Sequence, residues 1–367
     1  MDADPAVEEL KTAAYKVPTD APEGDGTFAW DSTTLVLVQA SAGGVTGLGW
    51  TYGPAACSAL VGEVLSPAVQ GLPALDVGRA AQAMAQATRN TPRPGMAAYA
   101  ISAADCALWD LKARLLHLPL HRLLGAVRDE VAVYGSGGFT TYNEAQLAGQ
   151  LGGWVHGQGI PRAKMKIGES FGTEEGRDVE RMRQARDIIG PNAALFVDAN
   201  GAYTAKQAIR IMAKVRELDI SWFEEPVSSD NLAGLREVRE RVDADVAAGE
   251  YGTDLAYYRR MCVADALDCV QADVSRCGGI SEWLRIAALA AACNLEISGH
   301  CAPHMTVHAA AATPNFRHLE WFHDHVRIEN LFFEGCLDPH GGALRPSTEP
   351  GNGLAVRTGA MEEYRVA

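Results

Sequence analysis

No Cys-x-x-Cys pair occurs among the eight cysteines of this 367-residue chain. Thiols scattered this way in a long chain do not form a disulfide framework; they are expected to be reduced, mostly buried, and cytoplasmic. Positive charge is also short. Lys and Arg number 32 against 46 Asp and Glu, a formal net charge of -14, and that field repels phosphate. Neither nucleic acid nor an anionic membrane is an expected partner, whereas a small anionic substrate stays open if its site supplies local cations. No apolar run is long enough to cross a bilayer; the Ala-rich "LRIAALAAAC" is too short and follows a charged segment. The opening "MDADPAVEEL" has no basic n-region and no apolar h-region, so no signal peptide is expected. No Gly-x-Gly-x-x-Gly turn follows a first strand, which counts against an open, doubly wound nucleotide-binding sheet. Internal repeats and low-complexity tracts are lacking too.

What is present is an ordinary core composition, 47% hydrophobic and 21% charged, in a chain long enough for two domains or one large α/β domain with an appendage. From about Val131 short β-type runs alternate with amphipathic stretches: "VAVYGS", "AKMKIG", "ALFVDAN", "SWFEEP", "DVAAGE", "CVQADV", "LEISGH" and "HLEW". Eight such runs with seven helical segments between them predict a parallel sheet closed into a barrel. Ahead of it, "TTLVLVQASAGGVTGLGWTYG" reads as strands around a Gly-Gly turn, followed by two helix-type segments. The expected division is an α+β capping domain over 1–125, a barrel over 126–330, and a turn-rich segment over 331–367 returning to the cap. "KVPTDAPEGDGTFAWDS" is expected to be a mobile loop covering a site.

The chemistry gathers where the strand-type runs end, the place where barrel enzymes carry it. "FVDAN" ends with Asp198, "FEEP" with Glu224 and Glu225, "AAGE" with Glu250, "QAD" with Asp273, "ISGH" with His300 and "HLE" with Glu320. Asp198, Glu224 and Glu250 follow one another at 26-residue intervals, about one β/α unit each. Three converging carboxylates repel, and a hard dication such as Mg²⁺ relieves that repulsion. Polar residues merely solvating a rim would explain one such carboxylate better than three at matched depth. Glu225 alternates to the other side and is the weaker ligand candidate. Asp273 can hold the His300 imidazole in one tautomer. "HCAPHMTVH" spaces His300, His304 and His308 by four, but Pro303 starts a helix there, so His304 and His308 are expected to pack rather than bind zinc.

In "AKMKIGES", Lys164 and Lys166 are one residue apart and would face the same way in a strand. An ammonium with a pKa of about 10.4 is a poor base at neutral pH. A neighbouring cation and desolvation both lower that value, so Lys164 is expected to make Lys166 a usable base and to bind a substrate carboxylate itself.

This ordered set resembles the enolase superfamily, specifically its mandelate racemase subgroup, across essentially the whole chain. The Lys-x-Lys is "KMK", the metal strands are "FVDAN", "FEEP" and "AAGE", the dyad joins "QADVSRCGG" to "ISGH", and the last carboxyl lies in "HLEW". The muconate-lactonizing subgroup would instead place a Lys at the end of the sixth strand and lack the His; Arg276 does not match that Lys. The resemblance implies a modified (β/α)₇β barrel under an α+β cap, with Mg²⁺ on Asp198, Glu224 and Glu250. It implies abstraction of a proton α to a carboxylate by Lys166, with His300 on the opposite face. Glu320, as a protonated donor, would stabilise the developing charge, and Lys164 and Asn200 would hold the substrate. Trp30 and Tyr52 are the cap residues placed to close over it, against ordinary packing for each. If His300 returns a proton to the same carbon, the outcome is a racemase or epimerase of a 2-hydroxy acid. If it protonates a β-hydroxyl, the outcome is dehydration of an acid sugar to a 2-keto-3-deoxy acid, the favoured expectation. A catalytically idle, metal-stabilised binding scaffold is the reading from another class. The resemblance also implies a homo-oligomer.

Overall fold

The computed structural model describes residues 4–91, 93–357, 359 and 361–367. Its first sheet is antiparallel, β1 (Glu9–Gly24), β2 (Ala29–Ala42) and β3 (Val45–Tyr52). Alternation along these strands decides how the cap docks. Leu10, Ala14, Val36, Val38 and Ala40 enter a core of the cap, while Ala13, Tyr15, Val17, Leu35 and Leu37 enter the core shared with the barrel. A period of two therefore sends one face to each neighbour. The helix Ala98–Leu115 packs on this sheet and is pinned to the helix Gly279–Ala292 by Asp105, which accepts from Ser281 N (2.9 Å) and Ser281 Oγ (2.6 Å).

Eight parallel strands close the second layer: β4 (Val131–Gly137), β5 (Arg162–Lys166), β6 (Ala194–Asp198), β7 (Ile220–Glu224), β8 (Asp245–Ala248), β9 (Cys269–Ala272), β10 (Glu296–Gly299) and β11 (Phe316–Phe322). Each pairs with the next, and β11 returns to β4. All eight strand-type runs of the sequence are strands, and seven helical connections separate them, which is the (β/α)₇β order. Local chemistry starts the helices where the pattern requires. Asn143 with Gln146, and Thr204 with Gln207, form reciprocal capping boxes, and Pro303 opens the helix Pro303–Ala311. Tyr134, Phe196 and Trp222 fill the barrel interior around His318, giving the site above them an apolar floor.

The expected loop over residues 16–32 is instead the outer part of the β1–β2 hairpin. Pairing is interrupted between Pro18 and Glu23, where the prolines cannot donate, and resumes at Glu23↔Trp30 and Gly24↔Ala29. Asp25 Oδ1 accepts from Thr27 N (2.6 Å) and Phe28 N (2.8 Å), and this side-chain turn closes the tip. The tip rests on the barrel mouth: Thr140 Oγ1 donates to Asp25 O (2.7 Å), and Phe171 N donates to Gly26 O (2.8 Å). Beyond the barrel, β12 (Phe333–Glu334) pairs with β14 (Ala355–Val356), and β13 (Ala343–Leu344) pairs with β4. The chain end reaches the cap, where Ala14 N donates to Ala367 O (2.8 Å).

Candidate active site

Strand register puts the site together. Lys166 lies opposite Asp198, and Asp198 lies opposite Glu224, so three consecutive strands end on one row. Glu250 follows β8 by two residues, Asp273 and His300 directly follow β9 and β10, and Glu320 lies in β11. Counting around the barrel, Lys166 on β5 and His300 after β10 stand on opposing arcs. The turns just past these strands hold non-glycine residues at positive φ: Asn200 (44°), Glu225 (40°), Cys301 (48°) and Ala302 (42°). Each such residue costs about 1–2 kcal/mol of backbone energy, which the surrounding contacts must hold in place.

Asp198, Glu224 and Glu250 are buried and offer oxygens within 4.8 Å of one another. Asp198 Oδ2 accepts from Lys166 Nζ (2.5 Å) and Oδ1 from Asn200 N (2.9 Å). Glu224 Oε1 contacts Lys164, while Oε2 accepts from Trp222 Nε1 (2.9 Å) and Gln271 Nε2 (2.9 Å). Glu250 Oε2 is buried without a hydrogen-bond partner. An all-oxygen trio with such an orphaned oxygen fits a hard divalent cation. Burial, and then the charge of Asp198, push the Glu224 carboxyl above its usual range; burial and Glu250 do the same to Glu225. Glu225 turns from the trio to accept from Ser229 Oγ. A cavity of about 650 Å³ opens beside Asn200 and Glu225, between Thr27 of the hairpin tip and the barrel loops.

The dyad is formed: His300 Nδ1 and Asp273 Oδ2 are hydrogen-bonded at 2.7 Å. Ser275 N (2.7 Å) and Ser275 Oγ (2.6 Å) occupy the other Asp273 oxygen, so this carboxylate is fixed. His300 Nε2 faces the centre, 3.3 Å from Glu250 Oε2 and 3.6 Å from Glu320 Oε2. Burial opposes charge on His300, but Glu250 and Glu320 outweigh it and raise its pKa. Burial likewise opposes charge on Asp273, and the His300 bond overcomes it.

Two expectations about charge need correcting. Neither lysine ends with a lowered pKa in this arrangement. Burial, and for Lys166 the neighbouring Lys164, do push down; Asp198 beside Lys166, and Glu224 and Glu320 beside Lys164, win and hold both as ammonium. Nor does Glu320 stand ready as a donor. Burial favours its neutral form, yet Lys164 at 2.7 Å keeps it ionised. It accepts from Ser136 Oγ (2.6 Å) and Cys301 N (3.1 Å).

Trp30 is not among the residues lining that cavity; it packs edge-on to Phe139 (5.6 Å between ring centroids) in the apolar group with Phe322 and Cys301. Tyr52 does not present itself over a substrate. Its ring lies flat on His325 at 3.4 Å and its hydroxyl donates to Glu329 Oε1 (3.0 Å), so it serves the joint between cap and barrel. His304 and His308 pack as expected, against Glu329 Oε2 (2.5 Å) and Asn352 O (3.1 Å). Sequence reasoning named Arg276 only to set it aside as a catalytic Lys; its guanidinium lies 3.3 Å from Asp273 and 3.5 Å from Glu250 and ties the dyad to the trio. That reasoning missed Ser136, Gln271 and Trp222. The last two were findable, since each precedes a site carboxylate by two residues and shares its strand face.

Residues 146–360 match the family model described as enolase C-terminal domain-like, and 10–125 match the mandelate racemase / muconate lactonizing enzyme N-terminal domain. The chain belongs to the enolase superfamily, in its mandelate racemase subgroup. This member of the subgroup is 32% identical over 360 residues to a 3,6-anhydro-alpha-L-galactonate cycloisomerase of Streptomyces coelicolor, covering 95% of this chain and 97% of that one. It is 34% identical over 265 residues to an L-talarate/galactarate dehydratase of Salmonella typhimurium, 72% of this chain and 65% of that one. Among solved structures, a mandelate racemase/muconate lactonizing enzyme-like protein from Rubrobacter xylanophilus superposes with a TM-score of 0.95 at 48% identity, over 99% of this chain and 100% of that one. A racemase from Streptomyces coelicolor with bound magnesium superposes at 0.91 and 30% identity, over 98% and 100%. The subgroup protein described here is accordingly an enzyme of the kind that includes dehydratases, cycloisomerases and racemases.

Proposed function

We propose that this enzyme removes the proton α to the carboxylate of an acid sugar and expels the β-oxygen, giving a 2-keto-3-deoxy acid. The observation that carries the reading is the buried oxygen trio of Asp198, Glu224 and Glu250 flanked on opposing arcs by Lys166 and the His300–Asp273 dyad. Mg²⁺ on that trio is supported by its all-oxygen donors and by the magnesium in the racemase structure. When bound, the cation takes up the carboxylate charge that holds the lysines protonated and stabilises negative charge developing on the substrate carboxylate.

The remaining roles fall to the chain. Lys166 Nζ takes the α proton. Lys164 holds the substrate carboxylate from the floor of the barrel, with Asn200 at the cavity side. Asp273 fixes the His300 ring so that Nε2 delivers a proton to the departing oxygen. Glu320 positions Lys164 and faces the His300 ring; it becomes a donor only after taking a proton, once Lys164 engages the substrate. Trp30 packs with Phe139, Phe322 and Cys301 beside His300, and that apolar group keeps water from the reacting centre. The talarate/galactarate dehydratase relative points to aldarates and the anhydro-galactonate cycloisomerase relative to anhydro-sugar acids, and these are the two substrate classes to offer first.

The test is a panel of such acids incubated in D₂O with Mg²⁺, read by NMR. A keto-acid product labelled at carbon 3 supports the reading. Exchange at carbon 2 or an epimer, with no keto acid from any substrate, would reject elimination and leave the racemase reading of the same site.

A further inference from the structure

A second cluster joins the hairpin to the barrel. Asp20 and Glu23 come from β1, and His323 opens the helix His323–Phe332 that follows β11; their ligand atoms lie within 4.8 Å of one another. His323 Nε2 is 2.9 Å from Asp20 Oδ2. Alone, that would be a surface ion pair of small value. Glu23 makes it different. Its side chain is 0% exposed, Oε2 accepts from Trp30 Nε1 (2.8 Å), and Oε1 is buried with no partner. The adjoining Asp324 is buried too. Its Oδ1 is held by Arg327 (2.6 Å), and its Oδ2 has no partner. Three carboxyl groups and one imidazole thus meet at a joint whose nearby guanidinium, Arg327, is already engaged by Asp324 and Pro18 O (2.7 Å).

We propose that Asp20, Glu23 and His323 form a second divalent-cation site, of mixed nitrogen and oxygen donors, that clamps the cap hairpin to the barrel. One imidazole with two carboxylates suits a borderline first-row ion such as Zn²⁺, whereas the oxygen trio suits Mg²⁺, so the two sites select different ions. The ligands come from two separate elements, so the ion would close the hairpin against the helix. Glu23 also holds the Trp30 indole, so the clamp fixes Trp30 against the apolar group of Phe139, Phe322 and Cys301.

The test uses the full chain stripped by chelator, refilled with millimolar Mg²⁺ and titrated with Zn²⁺ by calorimetry, beside His323→Asn, Asp20→Asn and Glu250→Gln. His323 and Asp20 are 26% and 47% exposed, so their variants keep the fold. The unaltered protein and Glu250→Gln are expected to bind one more Zn²⁺ per chain than His323→Asn or Asp20→Asn. Zn²⁺ is also expected to slow hydrogen exchange over residues 16–32 only where that extra ion binds. Equal Zn²⁺ counts in all four proteins, or loss of the extra ion in Glu250→Gln alone, would overturn the proposal.

Discussion

Lys164→Met tests the charge balance on which the site is built. Lys164 is fully buried, and its Nζ lies 2.7 Å from Glu320 Oε1, 3.4 Å from Asp198 Oδ2 and in contact with Glu224 Oε1. Methionine fills similar volume without charge. Glu224 keeps Trp222 and Gln271, and Glu320 keeps Ser136 and Cys301, but none of these donors carries charge. Removing one member of a buried ion pair costs about 3–5 kcal/mol because the other charge is stranded. Lys166→Met strands Asp198, which retains Lys164 at 3.4 Å, so its loss is expected to be smaller. Urea unfolding with chelator at pH 8 should therefore rank the parent above Lys166→Met and Lys166→Met above Lys164→Met, the last by about 3–5 kcal/mol. Two trends should accompany the deficit. It should shrink towards pH 5, where the stranded carboxylates take up protons. Added Mg²⁺ should also recover more stability in Lys164→Met than in the parent, because the ion replaces missing positive charge. A Lys164→Met protein within about 1 kcal/mol of the parent in chelator, with no extra gain from Mg²⁺, would refute the reasoning, since a buried pair broken on one side cannot be that cheap.

Three further outcomes are expected. Asp273→Asn removes the charge that supports an imidazolium but keeps the geometry. Turnover should fall by about 10²–10⁴-fold, while deuterium exchange at the substrate α carbon, the task of Lys166, persists; loss of both together would break the assignment of separate roles. Gly26→Ala places a Cβ 2.7–2.9 Å from the carbonyl oxygens of Ile167, Gly168 and Ala199, which are backbone and cannot swing away. The tip should lift, with about 1–3 kcal/mol of lost stability, raised KM and faster proteolysis near residues 16–32; unchanged KM would mean that the hairpin does not shape the pocket. Burial opposes charge on His304, but Cys336 and Glu329 raise its pKa to about 10, above the unfolded value of about 6.5. Its contribution is thus complete below pH 6.5 and lost as pH climbs through 10, so unfolding free energy should decline over that interval and His304→Gln should flatten the decline.

The sequence alone determined the barrel, because strand ends in this chain are marked by polar residues closing short apolar runs, and the spacing of Asp198, Glu224 and Glu250 repeats with the β/α unit. It also singled out the charged groups that the barrel gathers at its mouth, for the same reason: position at a strand end is a one-dimensional property. The hairpin escaped it, since Pro18, Pro22 and the glycines of 16–32 advertise a loop while pairing to β2 is a contact between segments; the Asp25-Gly26 turn was the available clue. Protonation escaped it as well. "KMK" shows two lysines together but not the carboxylates that β6, β7 and β11 bring against them, and those set the sign of the shift. Tyr52 and Arg276 were decided by what folds beside them: the ring of His325 in one case, and the gap between Asp273 and Glu250 in the other. Periodicity along a chain tells which way a side chain points. The charges and rings it meets there belong to residues distant in sequence, and only closing the barrel under its cap brings them into range.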